Sequence, residues 1–222
     1  MDPTPHAAQW TDRVSWSAIE VLPVLPREFY NRPAASVAKD VLGTVLVHGD
    51  AAGRIVEAEA YLGLDDLAAH ASRGITPRTR VLFGPPGHAY VYLIYGMYEC
   101  LNFVTEPEGK AGCVLIRALE PLAGIPLMRS RRPAARRLRD LASGPAKLTR
   151  ALGINRDQYG ADLTKGPITV RQRLGDNSFR VLTTPRIGVT LCADWPLRFV
   201  VEGSSFASGN NFKNSADHRC VE

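Results

Sequence analysis

The sequence predicts an α+β fold in a single domain, with antiparallel strands supplying most of the core. Three observations lead there. The chain has 222 residues, 45% hydrophobic and 22% charged, close to globular averages, which excludes wholesale disorder, collagen-like and coiled-coil architectures. Helical spacing of apolar residues is confined to short stretches, whereas runs rich in β-branched and aromatic residues recur between turn residues. No internal repeat, low-complexity tract or linker divides the chain, and its length suits one large domain.

Residues 1–24 contain several prolines and no sustained period, and are expected to form an N-terminal tail. A helix is expected to start near Asn31 and Pro33, with Val37, Ala38, Val41 and Leu42 on one side and Gly43 past its end. VLVHGDAAGRIVEAEAYLG reads as a hairpin turning through 49–53. In its second strand, period two places Val56, Ala58, Ala60 and Leu62 on one face and Ile55, Glu57, Glu59 and Tyr61 on the other. Residues 63–88, rich in Gly, Pro, Arg and Thr with a short helical possibility at 65–69, form a long loop of the kind that carries function. HAYVYLIYGMYECLNFV and GCVLIRALEPL are two further strands, followed by an Arg-studded helical stretch over 121–139 interrupted at Pro133. SGPAKLTRALGI predicts a helix with Ser143 as N-cap, Pro145 in the first turn and Gly153 after the end. Its N-terminal amides and Lys147 would suit a phosphate, and a capped helix without a ligand explains the pattern equally well. Short strands are expected at 166–170, 179–183, 187–191 and 197–201, and SSFASGNNFKNSADHRCVE reads as a polar tail.

The net charge of +5 is unevenly divided. Residues 117–150 carry nine Lys and Arg against two Asp and Glu, a local +7, whereas residues 1–116 carry nine against thirteen. Such a segment fits a face opposed to a polyanion, although a charge run by itself more often marks a solvated basic helix. No window approaches 18 uninterrupted apolar residues and no basic start leads into an apolar stretch, so a cytoplasmic protein without a membrane contact is expected. Cys100, Cys113, Cys192 and Cys220 are too far apart for a CxxC pair and read as reduced thiols. There is no GxxxxGK[ST], GxGxxG or GxSxG motif, and His6, His48, His70, His88 and His218 lack metal-ligand spacing, so neither metal nor cofactor is expected.

The chemistry-bearing pattern is Glu57-Ala58-Glu59-Ala60-Tyr61, followed after the loop by Tyr90, Tyr92, Tyr95 and Tyr98. A carboxylate facing away from a core is paired, solvated or catalytic, and strand tyrosines are ordinarily packing. Together, beside a basic segment, they are what handling an extruded base requires. Two other readings stay open on the residues alone. One is a non-catalytic module that binds bent or damaged DNA through the basic face. The other is a glycoside hydrolase using Glu57 and Glu59 as a carboxylate pair. Side chains i and i+2 on a strand stand about 7 Å apart and point into one side of a site rather than flanking a bond, which counts against it.

RIVEAEAYLG, AAH, TPRTR, YVYLIYGMY, LN, CVLIRALEPL and SGPAKL, in that order, resemble the alkyladenine (3-methyladenine) DNA glycosylase family of the non-helix-hairpin-helix type. The resemblance runs from about Leu25 to about Ser208 and implies a DNA glycosylase domain over 25–208, with a polar C-terminal tail over 209–222. It implies a curved antiparallel, open-barrel-like sheet flanked by helices, in a monomer that starts base excision repair on duplex DNA containing damaged purines. Carried over residue by residue, it makes Glu59 the general base orienting water and Arg117 the group that helps hold that water. Tyr61 and His70 would line one side of the flipped-base pocket and Tyr92 the other, with the backbone of His70 reading the base edge. Asn102 would screen against the exocyclic amine of guanine, and Tyr95 would be the wedge that enters the duplex. Glu99 and Leu101 depart from the family pattern, and the loop over 72–80 is slightly shorter than in animal members.

The residues agree with these roles. Glu59 and Tyr61 share a strand face, and Arg117 shares one with Cys113 and Leu115. Bases alkylated at a ring nitrogen are positively charged, good leaving groups, and attracted to tyrosine faces. Neutral lesions such as ethenoadenine and hypoxanthine need protonation of the leaving base. Lys39, Lys110, Lys147, Lys165 and Lys213 lie outside the carboxylate and tyrosine motifs, so monofunctional hydrolysis without a Schiff base is expected. Strand parity and the neighbouring Gly96 place Tyr95 at a strand end or turn.

Overall fold

A computed structural model describes residues 10–175 and 178–209. The expected α+β architecture is what it shows. One open antiparallel sheet has eight strands: β1 (Val45–His48), β2 (Ala51–Tyr61), β3 (Ala89–Ile94), β4 (Tyr98–Val104), β5 (Cys113–Ala123), β6 (Ile168–Arg171), β7 (Val181–Thr184) and β8 (Arg198–Val201). The order is β3-β4-β5-β2-β1-β6, with β8 pairing both β2 and β7. The long β2 is central: β5 lies along one edge, while β1 and then β8 share the other. Register shifts at Ala52/Gly53, Ile55/Glu57 and Glu57/Ala58 interrupt the β2–β5 ladder; such bulges bend a strand.

Among the described residues five α-helices flank the sheet: α1 (Trp16–Glu20), α2 (Arg27–Tyr30), α3 (Ala34–Asp40), α4 (Ile125–Arg131) and α5 (Pro145–Leu152). The apolar stripe of α3 and its exit, Val37, Ala38, Val41 and Leu42, is fully buried. Each such aliphatic contributes roughly 1.5–3 kcal/mol, alanine less. With Leu148, Ala151 and Leu152 of α5 it meets Ala58, Ala60, Val114 and Ile116 to form the main core. This leaves the opposite sides of β2 and β5 to Glu57, Glu59 and Arg117.

Several expectations are corrected. The lead-in is no tail from residue 10 onward: Ser15 caps α1, Ile19 is fully buried, and Val24 bridges to Arg171. Ile55 belongs with Ala58 and Ala60 in the main core, not with the carboxylates, because the bulge before Glu57 resets the parity. The hairpin turn is confined to 49–50, so β2 starts at Ala51. HAYVYLIYGMYECLNFV is two strands folded back at 95–97. Strand β5 runs to Ala123, and α4 begins only after Gly124, whose φ of 70° and contact with Asp50 O leave no room for a Cβ. Residues 65–69 form turns rather than a helix, and 187–191 is irregular, with the Ile187 N–H turned to Glu59. Most of the polar tail, 210–222, lies outside the described residues, but Ser208 is buried. No helix among the described residues is long and apolar enough to cross a membrane.

Candidate active site

Glu57 and Glu59, two residues apart on β2, are both fully buried. Arg117 of β5 serves both, donating from Nε to Glu57 Oε1 at 2.9 Å and from Nη1 to Glu59 Oε2 at 3.1 Å. The Tyr61 hydroxyl donates to Glu59 Oε2 at 3.1 Å, and the Ile187 N–H donates to Oε1 at 2.8 Å. Glu57 has further partners: it accepts from Arg198 Nε at 2.7 Å, the Ser208 hydroxyl at 2.9 Å and the Ser208 N–H. Two acids and two guanidiniums thus balance in charge and hydrogen bonding, the condition under which buried ions are tolerated. Burial raises the pKa of Glu59 above the ordinary carboxylate value, opposed by Arg117, the Ile187 N–H and Tyr61. A buried carboxylate with a raised pKa is a better proton acceptor than an exposed one.

Above this network lies a cavity of about 260 Å³, slightly below the usual range for drug-sized ligands and suited to one planar heterocycle. Tyr61, His70, Tyr92, Tyr95, Asn102 and Arg117 all line it, so the structure brings together six of the sequence-derived site residues. Glu59 sits beneath its floor, reached through Tyr61, Arg117 and Ile187, which line the cavity and hold both carboxylate oxygens. Asn102 is buried, its Nδ2 donating to Tyr90 O at 3.2 Å and its Oδ1 facing Cys113 Sγ at 3.8 Å. His70 belongs with the tyrosines of β3: it packs edge-on to Tyr92 at 4.6 Å between centroids, and its Nδ1 meets the Tyr90 hydroxyl at 2.9 Å. This corrects the expected grouping of His70 with Tyr61 across from Tyr92. The loop carrying His70 turns back onto β3, so its imidazole is packed against that strand.

Burial, then Arg78 and Arg73, lower the His70 pKa to about 4. The imidazole is therefore neutral at pH 7. An unfolded His protonates near 6.5, so the unfolded state binds the extra proton first as pH falls. His70 therefore withdraws stability between about pH 6.5 and pH 4 and has no such effect above that window. An NMR titration should place the His70 midpoint well below 5. A midpoint near 6.5 would contradict the packing described.

Tyr95 sits at the tip of the β3–β4 hairpin, 82% exposed, with φ of 52° beside Gly96 at 70°. Two consecutive left-handed residues make the tight turn that aims this ring outward, at a cost a non-glycine rarely accepts. Ser143 does not cap α5. Gly144 occupies the N-cap, because Ser143 is drawn into a bridge with Ala118 of β5. Lys147 is exposed on the first turn, and Pro145 borders the cavity. The basic segment is not one solvated helix: Arg129, Arg131, Arg132 and Arg150 donate to backbone carbonyls around α4 and α5.

Residues missed in the sequence complete the site. Arg186 and Asp66 form a fully buried two-pronged ion pair, and Arg186 also lies over the Tyr61 ring at 4.6 Å. Asp66 accepts from the N–H groups of Leu62 and Ala68, fixing the loop that leads to His70. Arg198 interrupts an otherwise apolar strand, the one local signal available; Arg186 and Ser208 offered none.

Residues 28–205 match the family profile described as methylpurine-DNA glycosylase. A relative from Methanocella arvoryzae is 52% identical over 182 residues, covering 80% of this chain and 90% of the relative. One from Methanoculleus marisnigri is 51% identical over 190 residues, covering 83% and 98%. One from Koribacter versatilis is 47% identical over 205 residues, covering 88% and 98%. All three are named "Putative 3-methyladenine DNA glycosylase". With a buried, arginine-paired carboxylate beneath an aromatic cavity and this likeness across nearly its whole length, the chain belongs to the methylpurine-DNA glycosylase family, hydrolases of N-glycosyl bonds in DNA.

Proposed function

We propose that the protein is a monofunctional DNA glycosylase that flips alkylated purines out of duplex DNA and hydrolyses the N-glycosidic bond, starting base excision repair. The substrates are 3-methyladenine and 7-methylguanine, with ethenoadenine and hypoxanthine as neutral candidates. The observation that carries this reading is Glu59, held under a cavity of single-base size by Tyr61, Arg117 and the Ile187 N–H, all of which line that cavity.

The base enters between Tyr61 and the His70–Tyr92 wall. A water beside Arg117 attacks the anomeric carbon as the C1′–N bond breaks. The bonding pair goes to the base, so a cationic alkylpurine leaves neutral, and the water's proton passes to Glu59. Anionic Glu59 also stabilises the oxocarbenium-like state. With its Nδ1 bonded to the Tyr90 hydroxyl, neutral His70 is a poor candidate for the acid that neutral lesions require. No lysine lines the cavity among the described residues, which supports hydrolysis without a Schiff base. The exposed Tyr95 would fill the space left in the duplex, while the start of α5 and Lys147 take phosphates, in a cytosolic monomer acting on the nucleoid.

The test is incubation with duplexes carrying one alkylated purine. Free base should appear together with an abasic strand that breaks only on alkali treatment; absence of release from every alkylated purine would overturn the reading. Replacement of Tyr95 by Ala should leave the core intact and reduce release from duplex by about 10-fold or more, with a smaller loss on single strands, because unstacking costs a few kcal/mol. Equal losses on both would remove Tyr95 from the flipping step.

A further inference from the structure

Tyr92 is a shared wall. One side of its surroundings is the base cavity with His70; the other is an open cleft of about 810 Å³ that includes Arg78, Glu99, Arg156, Asp157 and Tyr159. Arg78 lines the cleft and not the base cavity, and its guanidinium carbon lies over the Tyr92 ring, 4.9 Å from the centroid. Its Nε also donates to the Tyr90 hydroxyl at 3.3 Å. We propose that Arg78, backing Tyr92 from the cleft, is a specificity-determining residue that shifts the base cavity away from positively charged bases and toward neutral ones.

An aromatic face attracts a cation through its negative quadrupole. When a cation already occupies one face, a second cation on the opposite face gains less, because like charges repel across a thin layer that excludes water. A neutral base stacked on the same ring loses nothing comparable. Tyr61, the other wall, also carries a guanidinium, but Arg186 is neutralised by its two-pronged pair with Asp66. Arg78 has no such ion pair among the described residues, and its two acidic neighbours in the cleft are Glu99 and Asp157. Its charge is felt inside the cavity, since it is among the causes that keep His70 neutral.

This inference rests on the function proposed above, and the experiment separates the two. Single-turnover release is measured from duplexes containing 7-methylguanine, a cation, and hypoxanthine, a neutral base, for wild type, Arg78→Gln and Arg78→Lys. Arg78 is exposed, and both variants retain a side-chain N–H donor toward the Tyr90 hydroxyl that Arg78 meets. In Arg78→Gln the rate ratio of 7-methylguanine to hypoxanthine should rise by about 3- to 10-fold. In Arg78→Lys, which keeps the charge, it should stay within about 2-fold of wild type. Any loss of DNA affinity common to both duplexes cancels in the ratio. An unchanged ratio in Arg78→Gln, or equal losses on both substrates, would overturn the assignment of Arg78 while leaving the glycosylase reading intact. No release by wild type from any alkylated purine would overturn that reading and this one with it.

Discussion

Replacing Glu59 by Gln is expected to slow single-turnover release of 7-methylguanine by about 100- to 10,000-fold, the usual contribution of a positioned general base, while duplex affinity stays within about 3-fold. Gln matches Glu in shape, and its carbonyl can still accept the Ile187 N–H. Its amide cannot take a proton from water, and it meets the donors of Tyr61 and Arg117 with donors of its own. Arg117 remains anchored through its Nε to Glu57, so the cavity should persist. In wild type the rate on a cationic lesion should fall as acid protonates Glu59. Because burial raises that pKa, the limb should lie above the ordinary 4.5. Undiminished release by the Gln variant, or a limb at or below that value, would remove Glu59 from the role of base.

Replacing Arg186 by Met is expected to destabilise the protein by about 3–5 kcal/mol, the cost of leaving one partner of a buried ion pair uncompensated. Asp66 would keep its bonds to the N–H groups of Leu62 and Ala68 but lose both guanidinium donors. The effect should extend to the site, because Arg186 also lies over Tyr61 and precedes the Ile187 N–H that holds Glu59. A second change, Asp66→Asn, removes the stranded charge and should recover part of the loss, giving a double-mutant coupling of roughly 1–3 kcal/mol in urea unfolding. Additive effects of the two changes would mean that the pair is not a unit.

How much of this was legible depended on the range of the interaction. Glu59 and Tyr61 were placed on one face correctly because period two needs only a continuous strand, and the same rule grouped Cys113, Leu115 and Arg117, which all line the cavity. It failed at Ile55, where a bulge resets the alternation and no residue type announces it. Ser143 looked like a cap because Ser is a good one; its bridge to Ala118, distant in sequence, left the position to Gly144. The division of the tyrosine-rich run into two strands was hinted at by Gly96, which led to the exposed Tyr95 but not to the hairpin. Arg186 and Ser208 were invisible because their partners Asp66 and Glu57 lie more than a hundred residues away, and Arg198, though it interrupts an apolar strand, gave no sign of its pairing with the equally distant Glu57. Buried charge networks of this kind are assembled by topology, and only the carboxylates of β2 and Arg198 in its apolar strand left a local mark.

Capture of a single base, drawn from the duplex into the cavity over Glu59, is the step on which the proposed chemistry depends. It is tested most directly by a crystal structure of Glu59→Gln bound to duplex DNA carrying one alkylated purine. The base should be seated between Tyr61 and Tyr92, with Tyr95 in the gap it leaves and the sugar above residue 59. A base still stacked in the duplex, or seated in the outer cleft beside Arg156 and Asp157, would contradict it.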